Sequence, residues 1–453
     1  MIRGSLTDLA RDLAGTLVGP DPGFAGVATD SRSLRPGELF VALRGPNFDG
    51  HDFLGDAAGR GAAAVVVERP LPCKLPRLRV ASSLRALGAM ASAWRARFEL
   101  PVMAVTGSFG KTTAKEMLAA IAATRGAVLA THGNLNNEIG LPLTLFGLGA
   151  EHRVAVLELG ANQAGEIARL TAIARPTVGL VTGAGPAHLE GFGTLEGVAH
   201  AKGELFAGLS ADATAVINAD DPFLPVWRDL AAGRRQVTFG MTADADFGAA
   251  QVAQGFQGGS PQVSFQLQTP DGAIDVRLAV AGRHNVVNAL GAAAAAWAAG
   301  FDLPAIAAGL AGVRGAPGRL GVIPGPRGAT IIDDSYNSNP AALRAAIDYA
   351  VSLPGEAWLV LGDMAELGPE SDRFHAAAGR YAREQGVARL FAYGARAVAA
   401  AEAYRGGEYC EDLDALAERL GGELHAGVNL LVKGSRSMRL ERLVQKLAQP
   451  EAR

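Results

Sequence analysis

The sequence predicts an α/β protein built from three domains. Its 453 residues correspond to about three domains at roughly 150 residues each. From residue 101 onward, short apolar runs alternate with helix-like runs, which is the pattern of a mainly parallel, doubly wound sheet. The composition is also rich in alanine and glycine, as expected for this class of protein.

Residues 1–82 are predicted to form a small α/β domain. A helix-like N-terminal run is followed by two strand-like runs, GELFVAL (37–43) and AAAVVVER (62–69). The segment PLPCKLPRLRV (70–80) contains three prolines and is therefore predicted to leave this domain as an exit segment. Helical periodicity over residues 83–98 indicates that the next domain starts there.

Residues 83–313 are predicted to form a doubly wound central domain of the P-loop ATPase type. Its predicted strands are PVMAVTG, RVAVLELG, TVGLVTGAG and TAVINADD. The stretch 245–280 is rich in glutamine and glycine and contains alternating runs, so we expect an antiparallel patch there. A turn and a helix are predicted over residues 281–300.

Residues 314–453 are predicted to form a Rossmann-like α/β domain. The strand–helix alternation restarts there, after a stretch rich in glycine and proline (312–329), with the strands TIIDDS, AWLVLGD, LFAYG and NLLVKGS. Because no G-x-G-x-x-G follows the first of these strands, a dinucleotide site is not predicted in this domain.

Charge and cysteine content argue against several classes of protein. The chain has 42 Lys and Arg against 45 Asp and Glu, so no basic surface for nucleic acid is indicated. The only cysteines, Cys73 and Cys410, cannot build a four-cysteine zinc site or a disulfide scaffold and fit a reducing compartment. The longest apolar stretch, residues 289–300, is too short to span a bilayer. We therefore expect a cytoplasmic protein.

The stretch AVTGSFGKTTAKEM (104–117) is predicted to bind phosphate. It lies between a predicted strand and helix and ends in the Gly-Lys-Thr of a P-loop, although the first glycine of G-x-x-x-x-G-K-[ST] is missing. Gly107 and Gly110 let backbone N–H groups turn towards phosphate. Lys111 can reach β/γ-phosphate oxygens, and Thr112 can ligate Mg²⁺. The structural alternative is a glycine turn with a capping threonine.

Three further side chains are candidates for this site, and each has a structural alternative. Glu158 ends a predicted strand, where a carboxylate near a P-loop is placed like a metal ligand or simply caps a helix. His188 lies in a Gly-rich loop, where a surface histidine is the alternative. Lys202 lies in a helix with an apolar face, and chemistry alone favours packing of its stem on the core with its ammonium in water.

Two clusters of polar residues each have a structural and a functional interpretation, and for the second cluster the two have similar weight. The first consists of Asn134, Asn136 and Asn137. These amides can cap and turn the chain, or they can hold a polar substrate or metal-bound water. The second follows a predicted strand and consists of Asp333, Asp334, Tyr336 and Asn337.

Together and in this order, these segments resemble the Mur ligases, the ATP-dependent amide-forming enzymes of peptidoglycan precursor assembly. The resemblance covers nearly the whole chain, and the shortened P-loop is the form that this family uses. Phe109 departs from the family, in which Asn is common at that position, and should alter the loop surface. The matching segments are TDSR (29–32), FDGHDF (48–53), TGSFGKTT (106–113), THGNLNNEIGLPLTL (131–145), LELGAN (157–162), AHLEGFG (187–193), AKGELF (201–206), GRHNVVNALGA (282–292), DDSYNSNP (333–340), LGDMAELG (361–368) and LVKGSRSMRLE (431–441).

Within the family, GNLNNEIGLP, DSYNSNP and LGDMAELG look like the branch that adds D-alanyl-D-alanine to UDP-N-acetylmuramoyl-tripeptide. The branch that adds the third residue has a similar N-terminal domain, but its diaminopimelate-adding form typically carries a DNPR segment that this chain lacks. Folylpolyglutamate synthases lack this N-terminal domain. The amidotransferase-coupled relative carries a Cys-rich zinc ribbon, which two cysteines cannot build.

The resemblance implies roles for the matched residues. Catalysis is assigned to Lys111, His188 and Lys202. Two Mg²⁺ ions are assigned to Thr112 with Glu158 and to His188 with Lys202, where Lys202 resembles the lysine that is carbamylated in many Mur ligases. ATP is assigned to Thr106, Gly107, Ser108, Phe109, Gly110, Lys111, Thr112, Thr113, His284, Asn285, Arg319, Asp334, Tyr336 and Asn337. The substrates are assigned to Ser31, Arg32, Asp49, Gly50 and His51 at the UDP end and to Asn134, Asn136, Asn137, Lys433 and Ser435 elsewhere.

The implied reaction passes through an acyl phosphate. The carboxylate of the tripeptide attacks the γ-phosphorus of ATP, Lys111 and the metal ions offset the charge, and the amine of D-alanyl-D-alanine then displaces phosphate. Because acyl phosphates hydrolyse easily, domain closure about a hinge at 312–329 is expected to exclude water. We expect a monomer with no nucleic-acid partner and no membrane span.

Two alternatives stay open at this point. A sister ligase would use a different amine, and a nucleotide-binding protein without ligase activity would act as a regulator or scaffold. The sequence also leaves open whether the third residue of the tripeptide is meso-diaminopimelate or lysine.

Overall fold

The computed structural model describes residues 2–242, 244–257, 260–280, 282–315 and 317–448, and of residues 256, 257 and 260 it describes only the backbone. Parts of several predicted features lie outside the described residues: Met1 of the first domain, Ala243 of the central domain, Gly258 and Gly259 of the antiparallel patch, Ala281 of the turn before the helix, Ala316 of the hinge, and residues 449–453 of the third domain.

The N-terminal part of the chain forms a small mixed sheet with short helices. Its strands are β1 (Arg3–Gly4), β2 (Thr16–Val18), β3 (Phe24–Ala25), β4 (Val27–Ala28), β5 (Leu39–Val41), β6 (Ala64–Val67) and β7 (Arg77–Arg79). Its helices are α1 (Leu6–Asp12), α2 (Leu54–Gly59) and a 3₁₀-helix at Gly50–Phe53. The strand order is β2-β7-β6-β5-β4, in which β2 is antiparallel to β7 and the other pairs are parallel, while β1 pairs with β3.

The segment predicted as an exit from this domain instead contributes a strand to it. β7 pairs with β6, with Leu78 opposite Val66, and the Leu78 side chain is fully buried. The three prolines all precede the strand, so they do not interrupt its ladder. The prediction was wrong because pairing with β6 on one side and β2 on the other, rather than local composition, decides the conformation here.

The central part of the chain contains a fully parallel, doubly wound sheet. Its helices are α3 (Ser83–Arg95), α4 (Lys111–Ala123), α5 (Gly140–Leu145), α6 (Glu166–Ala174), α7 (Leu189–Phe192), α8 (Leu195–Ala207) and α9 (Leu224–Leu230). Its strands are β8 (Val102–Thr106), β9 (Ala127–Ala130), β10 (His152–Glu158), β11 (Val178–Val181), β12 (Thr214–Asn218) and β13 (Arg235–Phe239), in the order β13-β12-β11-β8-β10-β9.

Strand β8 lies inside this sheet and is buried on both faces. Val102 and Ala104 belong to one apolar core, whereas Met103 and Val105 belong to the other, as the two-residue period of a strand requires. The second core is closed by α4 and by α10 (His284–Ala298), a helix that follows the six strands of this sheet in the chain. The loop that follows β8 is therefore anchored on a rigid support.

The antiparallel patch predicted over 245–280 is confirmed. Strands β14 (Gly248–Gln257), β15 (Ser260–Thr269) and β16 (Gly272–Leu278) form an antiparallel sheet in that order. Helix α11 (Leu303–Ala311) follows α10. Asp302 caps α11 by accepting a hydrogen bond from the N–H of Ala305, as a helix N-terminus favours.

The C-terminal part forms a second α/β unit. Its strands are β17 (Gly321–Pro324), β18 (Thr330–Asp334), β19 (Glu356–Gly362), β20 (Arg389–Tyr393), β21 (Glu408–Cys410) and β22 (Val428–Lys433), in the order β17-β18-β22-β19-β20-β21. Only β17 among these described strands is antiparallel to its neighbour. The helices are α12 (Pro340–Ser352), α13 (Ser371–Glu384), α14 (Val398–Tyr404), α15 (Leu413–Glu423) and α16 (Glu441–Leu447), with 3₁₀-helices at Pro326–Gly328, Gly368–Glu370 and Arg436–Met438.

The predicted α/β fold class is confirmed, and the strand ends locate the functional residues. β8 runs into the glycine loop, β10 ends at Glu158, β18 ends at Asp334 and β22 ends at Lys433. Ligands of open α/β sheets gather at the carboxyl ends of the strands. The domain boundaries after residues 82 and 313 stay predictions. Within the described residues, no helix combines the length and apolarity needed to cross a membrane.

Candidate active site

A cleft of about 690 Å³ lies between the central sheet and the C-terminal sheet. The predicted site residues that line it are Ser108, Phe109, Gly110, Lys111, Thr112, Thr113, Asn134, Asn136, Asn137, Glu158, His188, His284, Asn285, Arg319, Asp334, Tyr336, Asn337 and Lys433. The predicted site residues outside its lining are Ser31, Arg32, Asp49, Gly50, His51, Thr106, Gly107, Lys202 and Ser435.

Two glycines give the loop after β8 its shape. Gly107 has φ +146°, and a Cβ there would lie 2.0 Å from the Thr182 hydroxyl oxygen. Gly110 has φ +75°, and a Cβ there would lie 2.2 Å from the Asn288 side-chain oxygen. No other residue fits either position without strain and a clash. The loop therefore leads directly into the N-terminus of α4, which is favourable for anions.

Lys111, Thr112 and Glu158 form one connected group on the wall of the cleft. The Lys111 ammonium donates to the Gly107 carbonyl oxygen at 2.7 Å, so it is folded back over the loop. Thr112 Oγ1 donates to Glu158 Oε2 at 2.9 Å, and Asn136 Nδ2 donates to Glu158 Oε1 at 2.7 Å. Burial lowers the pKa of Lys111, and the Glu158 carboxylate opposes that change.

Arg319 joins the C-terminal part of the chain to this group. Its Nη2 donates to Thr112 Oγ1 at 2.9 Å, and its guanidinium lies over the Tyr336 ring at 4.6 Å from the ring centroid. Stacking on the ring fixes the plane of the guanidinium. A positive charge from the C-terminal part of the chain is thereby held beside the N-terminus of α4.

Asp334 and Lys433 form a buried ion pair at the ends of neighbouring strands. Lys433 Nζ donates to Asp334 Oδ2 at 2.5 Å and to the Asn337 carbonyl oxygen at 3.0 Å. The N–H of Leu320 donates to the other Asp334 oxygen at 3.2 Å. The pair fixes the loop that carries Tyr336 and Asn337, because each charge satisfies the other in a site that excludes most water.

The first turn of α10 forms a further part of the cleft wall. Asn288 Nδ2 donates to Asn285 Oδ1 at 2.9 Å. Burial lowers the pKa of His284 to about 4, so its imidazole is neutral at neutral pH. A neutral imidazole and amides suit a neutral heterocycle better than a phosphate.

His188 and Lys202 both contact the ring of Phe192. The His188 ring contacts the Phe192 ring edge-on at 6.4 Å between centroids, and the Lys202 ammonium lies 4.9 Å from the centroid of the same ring. Lys202 Nζ also donates to the carbonyl oxygen of Ala161 at 3.4 Å. Burial, followed by repulsion from Lys111, lowers the pKa of Lys202 to about 7.

Phe109 packs its ring over two glycines of the loop after β11. A Cβ at Gly183 would lie 2.6 Å from Phe109 Cζ, and a Cβ at Gly185 would lie 3.1 Å from Phe109 Cε1. Thr182 Oγ1 donates to the carbonyl oxygen of Phe109 at 2.5 Å. The ring is therefore accommodated only because both neighbours lack side chains.

The predicted UDP-binding residues lie in the N-terminal sheet region, away from this cleft. His51 is buried, with Nδ1 2.6 Å from Asp49 Oδ1 and Nε2 accepting the N–H of Glu68 at 2.9 Å. Gly50 is required because a Cβ would lie 2.7 Å from the backbone of Leu43. The guanidinium of Arg32 is exposed and pairs with Asp30 at 2.7 Å.

Three family models match the chain in succession. They are described as "Mur ligase family, catalytic domain" over residues 24–124, "Mur ligase middle domain" over 105–296 and "Mur ligase, glutamate ligase domain" over 318–436. A UDP-N-acetylmuramoyl-tripeptide--D-alanyl-D-alanine ligase of Escherichia coli K12 is 43% identical to the chain over 450 residues, which is 99% of each protein. The chain belongs to the Mur ligase family.

Solved structures of Mur ligases agree with this assignment. MurF from Acinetobacter baumannii matches with a TM-score of 0.93 and 34% identity over 99% of both chains. The MurF ligase of Thermotoga maritima, solved in complex with ADP, matches with a TM-score of 0.83 and 30% identity over 93% of this chain and 96% of that one. The predicted family is therefore confirmed.

The donor atoms of this Mur ligase suit Mg²⁺ only in part. Thr112 and Glu158 offer a hydroxyl and a carboxylate oxygen 2.9 Å apart, which are ligands that Mg²⁺ prefers. In the described part of the chain, no group of three His, Cys, Asp or Glu side chains could hold an ion. An ion here needs further ligands from phosphate and water, which is how Mg²⁺ commonly binds.

Two amides of the cleft were missed by the sequence analysis. Asn288 follows Asn285 by three residues on the same helix, and that spacing places both on one face. Asn339 caps α12 through the N–H of Ala342, and its Nδ2 donates to the carbonyl oxygen of Ser108 at 3.4 Å. The helical spacing could have revealed the first residue, whereas the second needs the tertiary contact.

Proposed function

We propose that this Mur ligase joins D-alanyl-D-alanine to UDP-N-acetylmuramoyl-tripeptide in a reaction driven by ATP. One observation carries the proposal: Lys111, Thr112 and Glu158 line the same cleft as Arg319 and Asp334 of the C-terminal sheet. A phosphate-binding loop and a facing domain are what an acyl-phosphate mechanism needs. The full-length similarity to named ligases of this specificity supports the choice of substrates.

We place the phosphates of ATP on the glycine loop and the adenine beside α10. The N-terminus of α4 and the ammonium of Lys111 supply positive charge for the β- and γ-phosphates. Arg319 reaches the same region from the C-terminal sheet. The neutral His284 and the amides of Asn285 and Asn288 suit the uncharged base.

We assign one Mg²⁺ to Thr112 with Glu158 and a second to His188 with Lys202. Bound Mg²⁺ would supply Lewis-acid stabilisation of the charge that develops on the transferring phosphoryl group. Asn136 donates to one oxygen of the Glu158 carboxylate and Thr112 donates to the other. These two hydrogen bonds fix the orientation of the carboxylate beside the Thr112 hydroxyl.

The environment of Lys202 supports carbamylation. A primary amine must be neutral to add CO₂, and with a pKa of about 7 roughly half of the Lys202 amines are neutral at pH 7. The carbamate would exchange an ammonium, which repels metal ions, for an anionic oxygen ligand.

The reaction follows from these positions. The terminal carboxylate of the tripeptide attacks the γ-phosphorus, and ADP departs as an acyl phosphate forms. The amine of D-alanyl-D-alanine then attacks the acyl carbon, the new C–N bond forms, and phosphate leaves. Lys111 offsets negative charge in the first step. The contacts of Arg319 and Asn339 with the glycine-loop region hold the C-terminal sheet over the cleft and limit access of water.

We propose that the N-terminal sheet region binds the UDP end of the substrate, near Ser31, Arg32 and the Asp49–His51 turn. The rigid hydrogen bonds of His51 suit a residue that shapes this turn rather than one that moves. Asn134 at the cleft is proposed to contact the peptide portion.

For the incoming dipeptide, we propose a binding position near the end of β22. Lys433 lines the cleft there, although its ammonium is already paired with Asp334. Ser435 accepts the N–H of Ala365 at 2.8 Å, so its part in binding the dipeptide is indirect.

We also propose a cytoplasmic, monomeric enzyme with three domains divided after residues 82 and 313. The free thiols of Cys73 and Cys410 support a reducing compartment.

The test is phosphate release from ATP in the presence of UDP-N-acetylmuramoyl-tripeptide and different amines. Release should require both the tripeptide and D-alanyl-D-alanine, and Lys111→Met should lower it about 100-fold or more, as the loss of a charge stabiliser does. Lys74→Met is the matched control, because Lys74 is exposed and lies outside the cleft lining. Its rate should equal that of the unchanged protein.

Other results would redirect the proposal. Release with a different amine, but not with D-alanyl-D-alanine, would make the protein a sister ligase with the same mechanism. ATP binding without release for any substrate pair would indicate a non-catalytic nucleotide-binding protein. Comparison of tripeptides that carry meso-diaminopimelate or lysine decides the remaining question of substrate.

A further inference from the structure

Two arginine side chains contact the ring of Tyr336, which lines the cleft. The guanidinium of Arg319 lies 4.6 Å from the ring centroid, and that of Arg436 lies 5.6 Å from it. Arg319 also donates to Thr112 at the start of α4, whereas Arg436 follows β22 and lies outside the cleft lining. Arg436 therefore places a second cation at the edge of the cleft, on the side of the C-terminal sheet.

Hydrogen bonds hold the turn that carries Arg436 at the carboxyl end of β22. The N–H of Ser435 donates to the carbonyl oxygen of Asp363 at 2.9 Å, and Ser435 Oγ accepts the N–H of Ala365 at 2.8 Å. The N–H of Met438 donates to the carbonyl oxygen of Ser435 at 2.9 Å. These bonds tie the turn to the loop after β19, at the edge of the sheet where ligands of open α/β sheets bind.

Arg436 has donors available for a ligand, whereas the nearby cation Lys433 does not. Lys433 is buried, and its ammonium donates to Asp334 and to the carbonyl oxygen of Asn337. The Arg436 side chain is 62% exposed, and its Nη1 lies 3.1 Å from Glu441 Oε1. A guanidinium has five N–H donors, and within the described residues no other acceptor contacts those of Arg436. Because an exposed ion pair is weak, Glu441 leaves the guanidinium available for an anion.

We propose that Arg436 binds the carboxylate of the incoming D-alanyl-D-alanine and thereby selects a dipeptide with a free carboxyl end. This inference rests on the proposed function. An extended dipeptide spans roughly 7 Å, so its carboxylate lies well away from the acyl carbon that its amine attacks. Lys111 and Arg319 are assigned to phosphate, and Lys433 is already paired, which makes Arg436 the better partner for that carboxylate.

The geometry of the Arg436 guanidinium suits this ligand. Arginine binds a carboxylate through two parallel N–H donors. Contact with the ring of Tyr336 restricts the orientation of the guanidinium, and therefore the direction in which those donors point. An uncharged carboxamide in place of the carboxylate would lose the charge that this pairing needs.

The test compares D-alanyl-D-alanine with D-alanyl-D-alaninamide, which keeps the amine and the length but has no terminal charge. Phosphate release is measured with saturating ATP and UDP-N-acetylmuramoyl-tripeptide. In the unchanged protein the KM should be about 10-fold higher for the amide, near the low end for a hydrogen bond to a charged group, because Arg436 stays partly in water. Arg436→Met should raise the KM for D-alanyl-D-alanine by about 10-fold and leave kcat and the KM for the amide unaltered, so that the preference disappears.

Two further variants separate recognition from charge and from packing. Arg436→Lys keeps the charge without the paired donors and should recover part of the preference. Arg442→Met is the matched control, because Arg442 is also exposed, pairs with Asp414 in the C-terminal part of the chain and lies outside the cleft lining. It should leave both KM values unaltered.

Equal losses for both amines in Arg436→Met would overturn the inference, because they would show a structural effect and not recognition of the carboxylate. Equal KM values for the two amines in the unchanged protein would overturn it as well. Release with D-alanyl-D-alanine that Arg436→Met leaves unaltered would overturn this inference alone. Release with no amine, or only with a different amine, would overturn the proposed function and this inference with it.

Discussion

Alanine in place of Gly183 should damage the phosphate-binding loop through Phe109. The added Cβ would lie 2.6 Å from Phe109 Cζ, 2.8 Å from Cε2 and 3.3 Å from Asp221 Oδ2. Carbon atoms cannot approach so closely, so the Phe109 ring or the loop that carries it must shift. Overpacking of this kind costs about 1–3 kcal/mol.

Relief of that strain moves the glycine loop, because the carbonyl oxygen of Phe109 is held by Thr182 at 2.5 Å. If the strain acts fully on the nucleotide-bound conformation, Gly183→Ala weakens ADP binding by about 5- to 150-fold. Phe109→Ala alone should weaken the free energy of ADP binding by about 1 kcal/mol, because a half-buried ring contributes less to the loop's packing than a fully buried one. The double variant should bind ADP about as well as Phe109→Ala, which gives a coupling energy of about 1–3 kcal/mol in magnitude.

Calorimetric titration with ADP checks the cycle, and Gly421→Ala serves as control because no atom lies within 4 Å of the position where its Cβ would be. Wild-type affinity in Gly183→Ala would refute the packing argument. Equal losses in Gly183→Ala and in the double variant would show that Phe109 is not the residue that the new methyl group strikes.

Three further predictions concern buried charges. Lys202→Arg should abolish the ¹³C-carbamate NMR signal expected from ¹³C-bicarbonate at pH 8 and lower ligation by at least about 10-fold; no carbamate signal in the unchanged protein would contradict the assignment. Asp334→Asn should lower the free energy of unfolding of the C-terminal part in urea by about 3–5 kcal/mol, because Lys433 remains buried without its anion. Adding Lys433→Met should restore most of this free energy. An unchanged urea transition in Asp334→Asn would contradict the argument. The pKa of about 4 for folded His284 lies below the usual 6.5. As the pH falls from 6.5 to 4, His284 is therefore protonated in the unfolded chain before it is protonated in the folded one. The free energy of unfolding should fall by about 1–3 kcal/mol over this range. His284→Gln should lack that part of the loss in urea titrations, and an identical pH dependence would contradict the burial argument.

Several parts of the fold could be predicted because they follow from local pattern. Helix α4 occupies Lys111–Ala123, where the Gly-Lys-Thr motif and the apolar periodicity place it. The predicted apolar runs coincide with the inner strands β8, β10, β11 and β12 of the central unit and with β18, β19, β20 and β22 of the C-terminal unit, since strands buried on both faces contain few polar residues. Strands β9, β13 and β21 were not predicted. Strand β7 was missed because its conformation depends on pairing with β6.

The residues of the candidate site also fall into two groups: those that the local sequence predicts and those that only the tertiary structure brings together. The glycine loop, Glu158 and the Asp334 loop are recognisable because each follows an apolar strand. The ion pair between Asp334 and Lys433 joins residues that are far apart in sequence, and no local signal connects them. For Lys202, the sequence favoured a solvent-exposed ammonium, whereas the structure buries it and lowers its pKa to about 7.

The sequence by itself determined the α/β class, the family and the position of the phosphate-binding loop, because these depend on spacings within short segments. The tertiary structure decided which distant side chains meet. Strands β10 and β11 pair with β8 on opposite sides, and this order places Glu158 and His188 on either side of the loop. The contact of His188 with Glu366 depends further on how two separate sheets are joined. Such contacts arise from strand order and packing between units, which are collective properties that no single segment encodes.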